Sequence, residues 1–418
     1  MLRPILLVCC VGTFYAEKVR YDGHKIIRVT PNSEAEFYQL DEFQQYLAKE
    51  RVDIWHKSSG PNSHLDFRVG PDMGYILGHL RLTSRVLIPN VQAYIDYELK
   101  TNIMSKQHAG AGFDYRMYHD LDEIMDWMKD IVSQYSEIAQ LFPITESFEG
   151  RQLNGIKISV DPRPGKPGIW LEGGIHAREW ISPATVIYMT GQFLEQNGKD
   201  PNVTAALKAF DVYIVPVVNI DGYEYTRKTD RMWRKTRSKR DGQRCVGVDP
   251  NRNWDFHWCA QPGASTDPCS DSYCGPSAFS EKVVSGIADY IQNKTINVVG
   301  FIDFHSYSQL WMTPWGYTKA LPKDADAQDV TSAAAVGAIE SVHGTKYKYG
   351  SIANIIYVAT GSSADWTYGG ANIEYSVGVE LRDTGKYGFL LPPDQIVPSG
   401  QETLAGVLAF MSSINMSK

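Results

Sequence analysis

Gly168-Ile-Trp-Leu-Glu-Gly-Gly174-Ile-His176-Ala-Arg178-Glu179-Trp180 is the stretch that decides the fold. It opens as a short apolar run, Gly168–Leu171, of the kind that makes a buried strand, and Gly173-Gly174 ends it as a turn. His176 and Glu179 follow three residues apart, which puts imidazole and carboxylate on one face of a helical turn. Three further apolar runs share the strand character: Val212–Val218, Val298–Phe304 and Tyr375–Val379. Helical patterns alternate with them. One is Leu121–Ala139, opened by the capping-box-like Asp120-Leu-Asp-Glu123, and another starts at Ser182-Pro183. This alternation predicts an α/β fold with a mixed, mostly parallel sheet flanked by helices.

Ligands of open α/β sheets sit in the crevice beyond the carboxyl ends of the strands. The run Val298–Phe304 stops at His305, and Tyr375–Val379 stops at Glu380. His176, Glu179, His305 and Glu380 are therefore predicted to meet in one crevice. Two imidazoles and one carboxylate make a catalytic zinc set that leaves one position for water. Glu380, an acid ending an apolar run, is costly to bury without a purpose.

At 418 residues the chain exceeds one ordinary core, so at least two domains are expected. Hydrophobic residues at 43% and charged residues at 21% fit a soluble globular protein, and a net charge of −7 argues against nucleic acid as a partner. Arg3, the apolar run Ile5–Val11 and Ala16 read as a secretory signal peptide over residues 1–16, rather than as a buried N-terminal strand. No later run suits a membrane helix, so the expectation is a secreted, extracellular protein without a membrane partner. Cys245, Cys259, Cys269 and Cys274 remain once Cys9 and Cys10 leave with the signal. An even cluster in an exported chain reads as two disulfides across one loop, with a four-thiolate metal site as the alternative. Asn202, Asn293 and Asn415 open glycosylation sequons.

Residues 17–106 read as a small α+β unit. Strands are expected near Lys25–Val29, Val52–His56, His64–Val69 and Arg85–Ile88, with helices over Glu34–Ala48 and Gly74–Leu82. A further helix from Val91 to about Met104 leads into an exposed, protease-sensitive linker, Ser105–Gly112, which contains Lys106. Residues 107–418 form the second domain. His119 reads as helix-entry surface, His257 as part of the cysteine loop and His343 as a helix end, while Arg237, Lys239 and Arg240 read as a solvated face.

Gly-Ile-His176-Ala-Arg178-Glu179-Trp180, Trp233-Arg234-Lys-Thr-Arg237, Gly-Val-Asp249-Pro-Asn251-Arg252-Asn253-Trp254, Phe304-His305-Ser-Tyr307 and Glu380-Leu-Arg-Asp-Thr-Gly385 together resemble the pancreatic-type zinc metallocarboxypeptidases in zymogen form. The resemblance spans nearly the whole chain. It implies a ferredoxin-like activation prosegment over residues 17–106, with a connecting helix, ahead of a catalytic domain. It implies one Zn2+ held by His176, Glu179 and His305, with Asp249 holding the first histidine. Glu380 matches the general base and acid, and Arg234 the arginine that polarises the scissile carbonyl. Asn251 and Arg252 match the pair that grips the substrate's C-terminal carboxylate, and Tyr357 the tyrosine that closes over it. Arg178, Tyr307 and Phe389 match outer substrate-binding residues. Alignment with the family pairs Cys245 with Cys269 and Cys259 with Cys274, as in B-type members. The implied partners are peptides with a free C-terminal carboxylate, an activating trypsin-like or Lys-specific protease cutting after Lys106, and proteinaceous carboxypeptidase inhibitors. The implied chain is a monomer.

The family selects substrates by the residue at the floor of its specificity pocket. Following Tyr357 through Gly361-Ser-Ser-Ala364, that residue is Ala364, with Met312, Gly316, Ile352, Ile356, Ala359, Ser362 and Gly378 as matching walls. None carries charge, and a cationic side chain buried there unpaired would cost several kcal/mol. An A-type preference for aliphatic and aromatic C-termini follows. A B-type reading would need an acid at the floor, which a one-residue slip to Asp365 would supply. A member that only binds C-termini would keep Asn251 and Arg252 but lack a zinc ligand or the general base, and this chain has them all.

Overall fold

The computed structural model describes residues 18–108, 112–293 and 296–415. The signal-peptide reading falls outside this range, as do the middle of the expected linker, Thr295 and Ser417 of two sequons.

The N-terminal elements run β1 (Lys25–Val29), α1 (Glu34–Lys49), β2 (Ile54–His56), β3 (Leu65–Val69), α2 (Gly74–Gly78), β4 (Ser84–Ile88) and α3 (Val91–His108). Their antiparallel sheet has the order β2-β3-β1-β4, and Ile27, Val29, Leu40, Phe43, Leu47, Leu65 and Phe67 fill its core. α1 starts at Ser33, whose side chain accepts the Glu36 N–H, a hydrogen bond that satisfies a donor the helix leaves free. Two expectations change. α2 ends at Gly78 rather than Leu82, and α3 continues through Ser105 and Lys106 to His108, so the start of the expected linker is helix. The exposed Lys106 side chain pairs with Glu123, which holds that last turn against the second domain.

The second domain comprises α4 (Leu121–Gln134), β5 (Ala139–Glu146), β6 (Gln152–Ile158), β7 (Pro167–Gly173), α5 (Ile181–Gln196), α6 (Pro201–Ala209), β8 (Asp211–Val215), α7 (Ile220–Lys228), α8 (Lys282–Ile291), β9 (Asn297–Ser306), β10 (Leu310–Thr313), α9 (Ala325–His343), β11 (Lys348–Ser351), α10 (Ile352–Ile355), α11 (Ser363–Gly369), β12 (Tyr375–Leu381) and α12 (Ile396–Ser413). The eight-stranded sheet runs β11-β10-β12-β9-β7-β8-β6-β5. Its centre, β12-β9-β7-β8, is parallel throughout, and the antiparallel pairs lie outward of it. The central strands are buried on both faces, which is why they read as continuous apolar runs. α4 stops at Gln134, and Ala139, expected to end it, instead begins β5. β5 lies at the sheet edge, where a proline such as Pro143 is tolerated, and its register with β6 shifts between Pro143 and Thr145. Ser182 does not cap α5 from outside: it lies in the first turn, accepts the Gly174 N–H and donates to the Phe304 carbonyl.

Both disulfides form, Cys245–Cys269 and Cys259–Cys274, so the four-thiolate alternative is excluded. Arg237 is not solvated: it is buried, with its guanidinium 3.6 Å above Tyr225 and 4.3 Å from the Trp233 ring centre. His119 is likewise buried, stacked on Phe113 and hydrogen-bonded to the Asp114 carbonyl and Glu123.

Candidate active site

The sheet register builds the site. β9 lies between β7 and β12, with Phe304 opposite Gly173 and His305 opposite Glu380. His305 and Glu380 thus leave neighbouring parallel strands at one level, and the turn after β7 carries His176 and Glu179 to the same end. Gly174 at φ +66° makes that turn, and an added Cβ there would meet Pro183 at 2.9 Å. Residues 176–179 form a tight turn rather than a helix, with the Glu179 N–H donating to the His176 carbonyl at 3.3 Å.

His176 Nδ1 lies 2.9 Å from Glu179 Oε1, and His305 Nδ1 lies 3.2 Å from Glu179 Oε2 and 3.1 Å from His176 Nδ1. One ligand atom from each of these three buried residues falls within 4.8 Å of the others. Each Nε2 faces a carboxylate: His176 on Asp249 Oδ1 at 3.0 Å, His305 on Asp303 Oδ2 at 2.9 Å. Carboxylates behind both rings orient Nδ1 as the ligand atom, and two Nδ1 atoms facing each other beside a carboxylate suit a shared cation. The donor set therefore fits zinc. Asp303 was missed by the sequence reading. It lies two residues before His305 on one strand, so it shares that residue's face, and it also accepts from Ser363 Oγ at 2.6 Å.

Asp249 also accepts from Arg234 Nη2 at 2.8 Å, and despite burial Arg234 and His176 hold its carboxyl well below the usual range. Arg234 Nη1 reaches to 3.6 Å of Glu179. Glu380 Oε2 is enclosed without a hydrogen-bond partner among the described residues, and burial pushes this carboxyl up to about 8 against the pull of His305. Asn251 is fixed by its surroundings: Oδ1 accepts the Ser363 N–H at 2.8 Å and Nδ2 lies 3.1 Å from His305 Nε2. Arg252 is 4% exposed and donates Nη1 to the Asn251 carbonyl at 2.6 Å, while its Nε has no partner among the described residues. Tyr357 stands beside it, with the Arg252 guanidinium 5.9 Å from the ring centre.

Ala364 is buried in an apolar cluster with Leu310, Met312, Ile352, Ile356 and Ala359. Gly378 pairs with Met312 across β12 and β10, and a Cβ added there would meet only Met312 Cε, at 3.9 Å. Asp365 is buried and engaged by backbone: Oδ1 accepts the Gly316 N–H at 2.7 Å and Oδ2 the Tyr317 N–H at 2.9 Å.

The outer residues meet the small domain. Arg178 Nη1 donates to Asp53 at 2.9 Å, and its guanidinium lies 4.3 Å from the Phe389 ring centre. Tyr307 donates to Asp66 at 2.7 Å, and Trp55 packs on Phe389 with ring centres 5.0 Å apart. Glu98 of α3 grips Arg231 through two hydrogen bonds, at 2.7 and 2.8 Å. The N-terminal unit thus covers the mouth of the crevice.

Comparison with known proteins agrees with this geometry. The zinc carboxypeptidase family profile matches residues 124–406, and the carboxypeptidase activation peptide profile matches residues 27–98. Carboxypeptidase A2 of Mus musculus is 41% identical over 416 residues, which cover 98% of both chains. Carboxypeptidase B of Astacus astacus is 45% identical over 295 residues, covering 70% of this chain and 96% of its own. The crystal structure of thrombin activatable fibrinolysis inhibitor superposes with a TM-score of 0.84 at 35% identity, covering 93% of this chain and 98% of the other.

Proposed function

The chain belongs to the zinc carboxypeptidase family and carries that family's propeptide, and on that premise we propose a secreted exopeptidase that releases aliphatic or aromatic residues from peptide C-termini. The observation that carries the reading is the buried Arg252, paired with no carboxylate among the described residues, beside an apolar pocket and the His176–Glu179–His305 cluster.

Zinc held by His176, Glu179 and His305 supplies a Lewis acid that makes water nucleophilic near neutral pH and polarises a carbonyl. Glu380 receives the proton of the attacking water and passes it to the leaving amine; a carboxyl raised by burial suits both directions. Arg234, fixed by Asp249, offers a permanent positive charge to the oxygen that becomes anionic. Arg252 and Asn251 take the free C-terminal carboxylate, and a guanidinium fork rewards an anion that a mid-chain amide cannot supply. Tyr357 closes over the site, and Arg178, Tyr307 and Phe389 bind residues upstream of the cut. Within the pocket, Ala364 favours apolar side chains, and the occupied Asp365 oxygens speak against a B-type floor. The space beside Gly378 favours large aromatics.

Residues 17–106 act as the activation prosegment and residues 107–418 as the catalytic domain, with cleavage after Lys106 by a trypsin-like or Lys-specific protease. Proteinaceous inhibitors of carboxypeptidases are a further partner class. Secretion agrees with the two disulfides, and no described helix is long and apolar enough to cross a membrane.

Hydrolysis of two blocked dipeptides, ending in Phe or Arg, tests the reading after limited trypsin treatment, with and without a zinc chelator. Chelator-sensitive release of Phe is expected. Release of Arg alone would keep the mechanism and overturn the pocket reading, whereas release of neither would overturn both.

A further inference from the structure

Between the two domains lies a cavity of about 310 Å3, whose walls include Lys57 from the chain after β2 and Arg234, Arg252 and Tyr357 from the catalytic domain. Both cations lie over the Tyr357 ring: Lys57 Nζ is 5.4 Å and the Arg252 guanidinium 5.9 Å from its centre. Neither cation pairs with a carboxylate among the described residues. Arg252 spends one N–H on the Asn251 carbonyl and leaves Nε free. The buried acids nearby are committed elsewhere, Asp249 to Arg234 and His176 and Asp53 to Arg68 and Arg178; of the other acids lining the cavity, Asp230 accepts from the Tyr21 hydroxyl and Asp271 is exposed. Burial, and then the like charges of Arg252 and Arg234, push the Lys57 ammonium down to about 8. Cations held together away from water are costly unless an anion joins them.

We propose that the zymogen contains a small-carboxylate site in this cavity, in which one carboxylate bridges Lys57 of the prosegment and Arg252 of the catalytic domain. The proposal rests on the reading of Arg252 as the carboxylate-binding arginine. It adds a prosegment residue to that site and gives the covered enzyme a ligand of its own. Where an acid on the prosegment would neutralise Arg252 and seal the site, Lys57 leaves it in need of an anion. The cavity has room for an amino acid or an aryl acetate, with the apolar walls around Ala364 and Ile356 adjoining Tyr357. A carboxylate bound there ties the two domains through charge-assisted contacts on both sides. Free amino acids, the class of product this enzyme releases, would therefore steady the uncleaved form.

Calorimetric titration of the zinc-loaded, full-length zymogen with phenylacetate tests this. Loss of one charged hydrogen-bond partner weakens binding by about 10- to 100-fold, so Lys57→Met should show a drop of that order while Lys57→Arg retains affinity. Unchanged affinity in Lys57→Met, or no binding to the wild-type zymogen, would overturn the bridge. Arg252→Gln in the activated enzyme separates the two readings. If it abolishes phenylacetate binding while Lys57→Met changes nothing, the bridge fails and the role of Arg252 stands. If it leaves binding intact, the role of Arg252 fails.

Discussion

Asp53 accepts a hydrogen bond from Arg178 Nη1 at 2.9 Å and one from Arg68 Nε, also at 2.9 Å. One buried acid therefore joins the small sheet to an arginine at the mouth of the active site. Burial alone would raise the Asp53 carboxyl, but Arg178 and Arg68 hold it well below its ordinary value. The stability this adds is present above the ordinary carboxylate value and is lost only as pH falls through the depressed one.

Replacing Asp53 with alanine leaves Arg178 buried against the prosegment without its partner. Breaking a buried pair from one side costs about 3–5 kcal/mol, charged here to the covered state alone. Uncleaved Asp53→Ala zymogen should hydrolyse a blocked Phe dipeptide faster than wild type, with the trypsin-activated enzymes equal because residue 53 has gone. Equal zymogen rates would mean that Trp55 and Glu98 hold the cover unaided.

Mild acid should act elsewhere on the same face. His56 and His64 stack with ring centres 4.1 Å apart, among Arg28, Asp66, Arg85 and the Tyr307 ring of the catalytic domain. Burial lowers both, and His64, with His56 adding to the effect, falls to about 3. A lowered histidine binds its proton more readily unfolded, so its stability is complete above about pH 6.5 and declines towards pH 3, by about 2 kcal/mol at pH 5. Protection factors of residues 54–69, which correct for the slower intrinsic exchange in acid, should fall between pH 7 and pH 5 in wild type, and much less in His64→Phe. An equal pH response in both would acquit the pair.

The site was legible where chemistry sits at strand ends. His305 and Glu380 announce themselves by stopping apolar runs, and their register confirms the shared level. What escaped depends on distance in sequence. Asp303 looked like an ordinary residue inside an apolar run until Ser363, 60 residues away, and His305 were seen on it. Arg237 counted as solvated because its partners Tyr225 and Trp233 reach it only after the chain turns back at Asp230. The helix expected over Leu121–Ala139 overruns because Ile138 and Ala139 prolong its apolar rhythm past Gln134, and β5 beyond Ala139 has no expectation of its own. The cover's contacts, Asp53 on Arg178 and Glu98 on Arg231, link residues more than 120 apart, and no local pattern marks them.

Glu380→Gln separates proton transfer from metal binding. The amide keeps the shape but cannot take a proton, so kcat for the activated enzyme should fall by about 10^2–10^4 or more. Zinc content should stay at one per chain, because Glu380 lies outside the His176–Glu179–His305 cluster. Loss of zinc together with activity would make Glu380 a ligand and require the cluster to be redrawn.

Ala364→Asp puts the pocket reading at greatest risk. Ala364 lies in an apolar cluster, and each oxygen of Asp365 next to it already accepts a backbone N–H, from Gly316 and Tyr317, so the pocket offers a cationic side chain no free acid. A carboxylate at position 364 would lie buried and unpaired when Phe enters, but would pair with an incoming guanidinium or ammonium. Misplacing a charge in this way costs several kcal/mol, enough to lower kcat/KM for a C-terminal Phe by about 10^2-fold and raise it for Arg. Measuring both substrates on one preparation separates specificity from damage, since a misfolded variant loses both. If the variant gained nothing with Arg while wild type already cleaved it, the acid serving such substrates would have to be Asp365, with its bonds to Gly316 and Tyr317 broken in the bound state.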